Sequence, residues 1–154
     1  MVYLWLKALH VVSATILFGT GMGIAFFKWA ADRSGDVKAI RVVGERVVWA
    51  DWLFTTPAIV AQAVTGVALA RIAGFPLLSG WVLAAIVLYF LAGACWLPVV
   101  WLQIRMRDLA RHSEVTGKPL SDTYRTYARV WFWLGVPAFL SLVVVFWLMV
   151  AKPF

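Results

Sequence analysis

Four long stretches of the chain carry no Asp, Glu, Lys or Arg: Ala8 to Phe27, Trp52 to Ala70, Ile72 to Ile104 and Val130 to Ala151. At 20, 19, 33 and 22 residues, each is long enough for the ~20 apolar residues that cross a bilayer core. Hydrocarbon cannot satisfy free backbone groups, so such stretches must be helical, whereas a membrane barrel would show alternating segments of about ten residues. The spacing predicts an all-α, polytopic membrane four-helix bundle. Its helices fall at about 4–28, 48–72, 80–108 and 122–151, in a single transmembrane domain over 1–154. With 64% hydrophobic residues and a mean hydropathy of +0.88, the chain lies far above the ~45–50% apolar content of soluble domains. A water-soluble globular fold is excluded.

The third stretch exceeds one span. Gly74, Pro76, Ser79 and Gly80 predict a tight turn at its start, which places the helix proper from about Trp81. Met1 to Leu6 is uncharged and the first apolar run is full length, unlike the basic, short-cored pattern of a cleaved signal peptide; the first helix is expected to be retained.

Basic residues set the expected orientation. Eleven of the fourteen Lys and Arg lie in two connections: Lys28, Arg33, Lys38, Arg41 and Arg46 in the first, and Arg105, Arg107, Arg111, Lys118, Arg125 and Arg129 in the third. Only Lys7, Arg71 and Lys152 belong to the other side. The positive-inside bias therefore puts both longer loops in the cytoplasm and both termini outside a cell membrane. The net charge of +7 sits beside the membrane, where anionic lipid attracts it, so the expected partner is the bilayer and not nucleic acid. Of the ten tryptophans, all but Trp96 fall near the ends of the spans, as interfacial belts require. Tyr124, Tyr127 and Trp131 recur at helical spacing opposite Arg125 and Arg129, which predicts an amphipathic start of the fourth helix at the headgroups.

Within the spans, ionisable groups are functional candidates by default, and His10 stands out. Ser13, Ala14, Leu17 and Gly21 share its side of the helix, a face of small groups beside an imidazole. The same residue would be inert if it were merely hydrogen-bonded to Ser13 or a neighbouring helix. Gly19 and Gly23 form a small-xxx-small pair for close helix packing, and Gly66 lies in a similar row with Ala58, Gln62 and Ala70, where Gln62 is expected to join helices. His112 lies some 30 Å from His10 across the core and cannot share a site with it. Met149 is the candidate partner, because methionine opposite histidine is an established haem ligation. Asp51 is expected to pair with Arg46 or Arg129. Cys95 has no cysteine partner and reads as a buried thiol. No catalytic triad, phosphate-binding loop or zinc ligand set can be assembled.

Helix one reads Leu4-Trp5-Leu6-Lys7-Ala8-Leu9-His10 and then Phe18-Gly19, helix two carries Thr55-Thr56-Pro57, and helix three opens with Ser79-Gly80-Trp81. This order resembles the HemJ-type protoporphyrinogen oxidase group and the wider copper-resistance-D-like membrane proteins. Within that set it is most similar to a family of small predicted integral membrane proteins of unknown function. The resemblance implies a helical bundle that binds haem b through His10. Two departures accompany it: the oxidase group has a lysine shortly after the tryptophan, where this chain has Val82 to Ile86, and an arginine near the inner end of helix one, for which Lys28 is an approximate substitute. Lysine does not reproduce a bidentate grip on a propionate.

Two functional readings follow. In one, the protein is a scaffold or accessory subunit, in a homo-oligomer or a larger membrane complex. In the other, it is a haem-b-binding membrane redox protein or oxidoreductase with His10 as axial ligand. Copper handling is a third, weaker reading, because Met22, Met149 and Cys95 are scattered along the chain.

Overall fold

The structure is a computed structural model that describes residues 1–78 and 80–153. Five α-helices and one π-helical segment follow in order: α1 Val2–Ser34, α2 Val37–Ala50, the π-helical Asp51–Thr55, α3 Thr56–Ile72, α4 Gly80–Thr116 and α5 Asp122–Ala151. Among the described residues there is no strand. Because α2, the π-helical segment and α3 run on as one helical stretch, four helices are long and apolar enough to cross a membrane. Both termini and the α3–α4 turn lie at one end of the bundle, here the terminal end. The connections rich in Lys and Arg lie at the other, the basic end.

Helix boundaries follow local chemistry. After Ser34, Gly35 takes the left-handed conformation (φ 69°) that L side chains avoid. The Asp36 carboxylate then accepts from the Lys38 amide at 2.9 Å and starts α2. At α5, the Ser121 hydroxyl accepts from the Tyr124 amide at 3.3 Å. Helix α3 closes on Gly74 (φ 75°), with Phe75 N–H bonded to Ala70 O and Gly74 N–H to Arg71 O, the pairing that satisfies the last carbonyls of a helix. This is the expected tight turn, apart from Ser79, which lies outside the described residues.

Two helices run further than the apolar patterning suggests, and one was not expected. Helix α1 continues past 28 to Ser34 and α4 past 108 to Thr116. Between residues 29 and 47, where a loop was expected, most of the chain is helical. Ile40, Gly44, Val47 and Val48 form one buried face of α2, and Gly44 faces the α4 backbone at Arg107, where an added Cβ would make ordinary contact at 3.7 Å. Ion pairs Arg41–Glu114 and Arg111–Glu45 (3.9 Å) fasten the same two helices, and Arg41–Glu45 (3.0 Å) lies within α2.

Packing is tightest at the basic end. Ala31, Ile40, Val99, Leu102, Met106, Ala110, Tyr124 and Trp131 from four helices form the larger core cluster. At the terminal end a smaller cluster joins only α4 and α5, through Ala85, Val145 and Leu148. Within the spans, α1 packs on α3 and α4 on α5, while α1 and α5 touch sparsely. The stacked rings of Phe18 and Phe139, 5.0 Å apart, are one of their contacts. Large apolar side chains such as Leu4, Phe26, Val60, Phe90 and Trp147 remain exposed, as a chain solvated by lipid requires.

Pro57 accounts for the π-helical segment. Proline lacks an N–H, and its ring clashes with the carbonyl four residues earlier. The helix relieves this by widening over Asp51–Thr55, and the Thr56 amide reaches back to Asp51 O. The Thr56 hydroxyl donates to that same carbonyl at 2.9 Å.

Candidate functional site

His10 sits in the second turn's wake on α1, near the terminal end, and α3 meets it with three side-chain contacts. The Gln62 amide donates to the His10 carbonyl oxygen at 2.5 Å and to the Ser13 hydroxyl at 2.6 Å. Ser13 in turn donates to that carbonyl at 3.1 Å. Thr65, only 2% exposed, places its Oγ1 2.7 Å from His10 Nδ1. The same hydroxyl donates to Ala61 O at 2.5 Å.

These contacts favour one imidazole tautomer. A hydroxyl has one proton; where that of Thr65 goes to Ala61 O, Thr65 accepts from His10 Nδ1–H and Nε2 carries the lone pair. A metal-ligating histidine has the same arrangement, with one ring nitrogen donating to a neighbouring oxygen while the other faces the metal.

Gly66 belongs to this site. A Cβ built there would stand 3.3 Å from His10 Cε1, closer than ordinary van der Waals contact, so the missing side chain is what lets the ring lie against α3. Gly19 and Gly23 are placed differently: among the described residues, a Cβ at either meets no atom within 4 Å, so no described helix approaches them closely. Met149 packs in the apolar cluster between α4 and α5, and His10's hydrogen-bonding partners come from α1 and α3. His112 is exposed at the basic end of α4. Among the described residues, no three His, Cys, Asp or Glu side chains gather as a metal site.

A family model for predicted integral membrane proteins, DUF2269, matches residues 4–153, nearly the whole chain. The chain belongs to the DUF2269 family. No curated protein and no solved structure matches it.

Three further expectations are revised in this DUF2269 chain. Lys28, 3% exposed, spends its hydrogen bonds internally: on both Asp32 oxygens (3.2 and 3.0 Å) and the Tyr124 hydroxyl (3.1 Å). Tyr124 donates on to Asp32 at 2.5 Å. The Lys28 ammonium also lies over the Trp131 ring, 5.4 Å from its centroid. Lys28 is therefore a brace between α1 and α5. It lies 18 residues from His10, about 27 Å along the helix, too far to share one porphyrin with it.

Tyr124 and Trp131 are accordingly buried, at 3% and 7% exposure, and do not float at the headgroups. Helical spacing identified their face correctly. What it could not show is that α1 offers a buried ion pair for that face to cover. Asp51, finally, has no ion-pair partner among the described residues, and Arg46 and Arg129 are exposed.

Of the His10 site, sequence reasoning found His10, Ser13, Gln62 and Gly66. It also offered Thr65, with Gln62, at the level of His10, but not its hydrogen bond to the ring. The signal was faint: Gln62, Thr65 and Gly66 lie at i, i+3 and i+4, which puts all three on one helical face.

Proposed function

We propose that the protein is a haem-b-binding membrane redox protein in which His10 Nε2 is an axial ligand. The observation that carries this is the position of the Thr65 hydroxyl between Ala61 O and His10 Nδ1, an arrangement that suits a ring with Nδ1–H directed at Thr65 and its Nε2 lone pair available. The resemblance of helix one to the HemJ-type and copper-resistance-D-like proteins points to the same residue. Bound haem b would supply one-electron chemistry at its iron.

The chain's own residues hold and orient the ring. Gln62 and Ser13 bind the backbone of His10, Thr65 fixes the tautomer and Gly66 clears the space beside Cε1. At the same end, Lys7 one turn before His10 and Arg71 in the last turn of α3 offer positive charge for propionates. Met149 packs in the α4–α5 cluster; it would be this chain's candidate for a second ligand, or that ligand would come from outside the chain. With Lys28 committed to Asp32 and no lysine at Val82–Ile86, electron transfer or oxidation of a smaller substrate suits the site better than porphyrinogen oxidation.

Haem titration of the Thr65 variants tests this reading. Thr65→Val removes the acceptor for Nδ1–H, and loss of such a partner typically lowers affinity by about 10–100-fold. Thr65→Ser keeps the hydroxyl and should bind as the wild type does. Equal affinity in Thr65→Val would refute the role given to the ring's tautomer.

The reading also places the basic end in the cytoplasm and the His10 end outside, from the eleven-to-three division of Lys and Arg. A reporter fused after Lys118 should be cytoplasmic and one at Phe75 external. A cytoplasmic Phe75 would reverse the orientation and move His10 to the inner leaflet.

A further inference from the structure

Six cations at the basic end have no carboxylate partner among the described residues: Arg33, Lys38, Arg46, Arg105, Lys118 and Arg129, all of them exposed. The acids there are already engaged. Asp32, Glu45, Asp108, Glu114 and Asp122 pair with other Lys and Arg side chains, Asp36 caps α2 and Asp51 is buried. This surface therefore carries uncompensated positive charge, and its complement is an anion.

Two of these cations are held in place by rings. The Arg105 guanidinium lies over the Trp101 ring, 5.8 Å from its centroid, and that of Arg33 lies over the Trp29 ring at 5.2 Å. Trp101 in turn packs edge to face with Tyr127 of α5, their ring centroids 5.7 Å apart. Arg105 is thus anchored at the seam between two helices, whereas Arg33 and Trp29 both belong to α1. Ordering a long exposed side chain on a ligand ordinarily costs conformational entropy; here the ring already restricts it. A guanidinium over a ring still directs its N–H donors outward in a fork that fits a phosphate bidentately.

The order of side chains along α4 narrows the anion. Leu97 and Phe90, four and eleven residues before Trp101, are 66% and 68% exposed, and these spacings keep them on the face of Trp101 and Arg105. From the basic end into the span, one face reads cation, aromatic ring, apolar side chains. A phospholipid has the same order, because its phosphate lies at the headgroup level, where tryptophan rings collect, and its acyl chains lie below. Free phosphate and nucleic acid have no apolar part to lay on Leu97 and Phe90. A zwitterionic headgroup balances its phosphate internally and does not answer the surplus charge, so the fit is to a lipid of net negative charge.

We propose that Arg105 and Trp101, steadied by Tyr127, form a binding site for an anionic phospholipid at the α4–α5 seam. The phosphate sits on the Arg105 guanidinium and an acyl chain runs along Leu97 and Phe90.

Thermal unfolding of the full-length protein in an uncharged detergent tests the site, with phosphatidylglycerol or phosphatidylcholine added. Phosphatidylglycerol at about a hundred times its dissociation constant should raise the midpoint by about 5 °C or more, and phosphatidylcholine should leave it in place. Arg105 is exposed, so Arg105→Gln should fold as the wild type does. It should need about tenfold more phosphatidylglycerol for the same rise. Lys118→Gln, which removes one charge from the loop after α4, should respond as the wild type. The proposal fails if the two variants weaken the response equally, since diffuse charge then suffices. It fails equally if phosphatidylcholine, glycerol phosphate or a single-stranded oligonucleotide stabilises as well as phosphatidylglycerol, or if no lipid moves the midpoint.

Discussion

On the proposed haem reading, His10→Ala should yield a folded protein that no longer binds haem. Most of the links between α1 and α3 at this position survive the change, because Gln62 and Ser13 bond to the carbonyl oxygen of residue 10 and not to its ring. Thr65 keeps its bond to Ala61. Only the Nδ1–Thr65 hydrogen bond is removed, an interaction worth about 1 kcal/mol net. Unfolding midpoint and yield should stay close to those of the wild type, while the haem-to-protein ratio falls at least tenfold. Full haem loading of the variant would remove His10 as ligand.

Lys28→Ala has the largest expected effect on stability. It deletes the ammonium that bridges Asp32 and Tyr124 and leaves the Asp32 carboxylate, whose side chain is 21% exposed, without its countercharge. Breaking a buried pair from one side costs about 3–5 kcal/mol. The lower end applies here because Asp32 retains some access to solvent. A fall of about 10 °C in the unfolding midpoint in detergent is expected. Replacing both partners, Lys28→Met with Asp32→Asn, should recover most of the loss, since neither buried charge then remains. If the single variant unfolds at the wild-type temperature, the brace between α1 and α5 does not hold these helices together.

These two residues also mark how much of the structure the sequence carries. The spans are legible because a bilayer excludes charge over a fixed length, so uncharged runs of about twenty residues announce them. Helix α2 is hidden for the opposite reason. Lys38, Arg41 and Arg46 interrupt its sequence, and the buried spacing of Ile40, Gly44, Val47 and Val48 emerges only once α4 is seen to extend past the membrane and cover it.

The functional sites divide in the same way. His10 is conspicuous as an ionisable group in an apolar run. Its tautomer depends on Thr65, 55 residues away, and no local pattern fixes the register of α3 against α1. Asp51 suggested an ion pair because Arg46 is close in sequence. Five residues apart, the two side chains point about 140° apart around the helix, so Asp51 is buried while Arg46 is exposed. Gly66 was read as a packing glycine and is one, although what packs on it is the imidazole itself.

The central claim, that His10 Nε2 holds haem iron, is tested most directly by the absorption spectrum of the wild-type protein purified in detergent after expression with ample haem. The account predicts a Soret band at near-stoichiometric haem content, lost in His10→Ala and retained in His112→Ala. A colourless wild-type protein would contradict the account and leave a scaffold or accessory subunit as the function of the bundle.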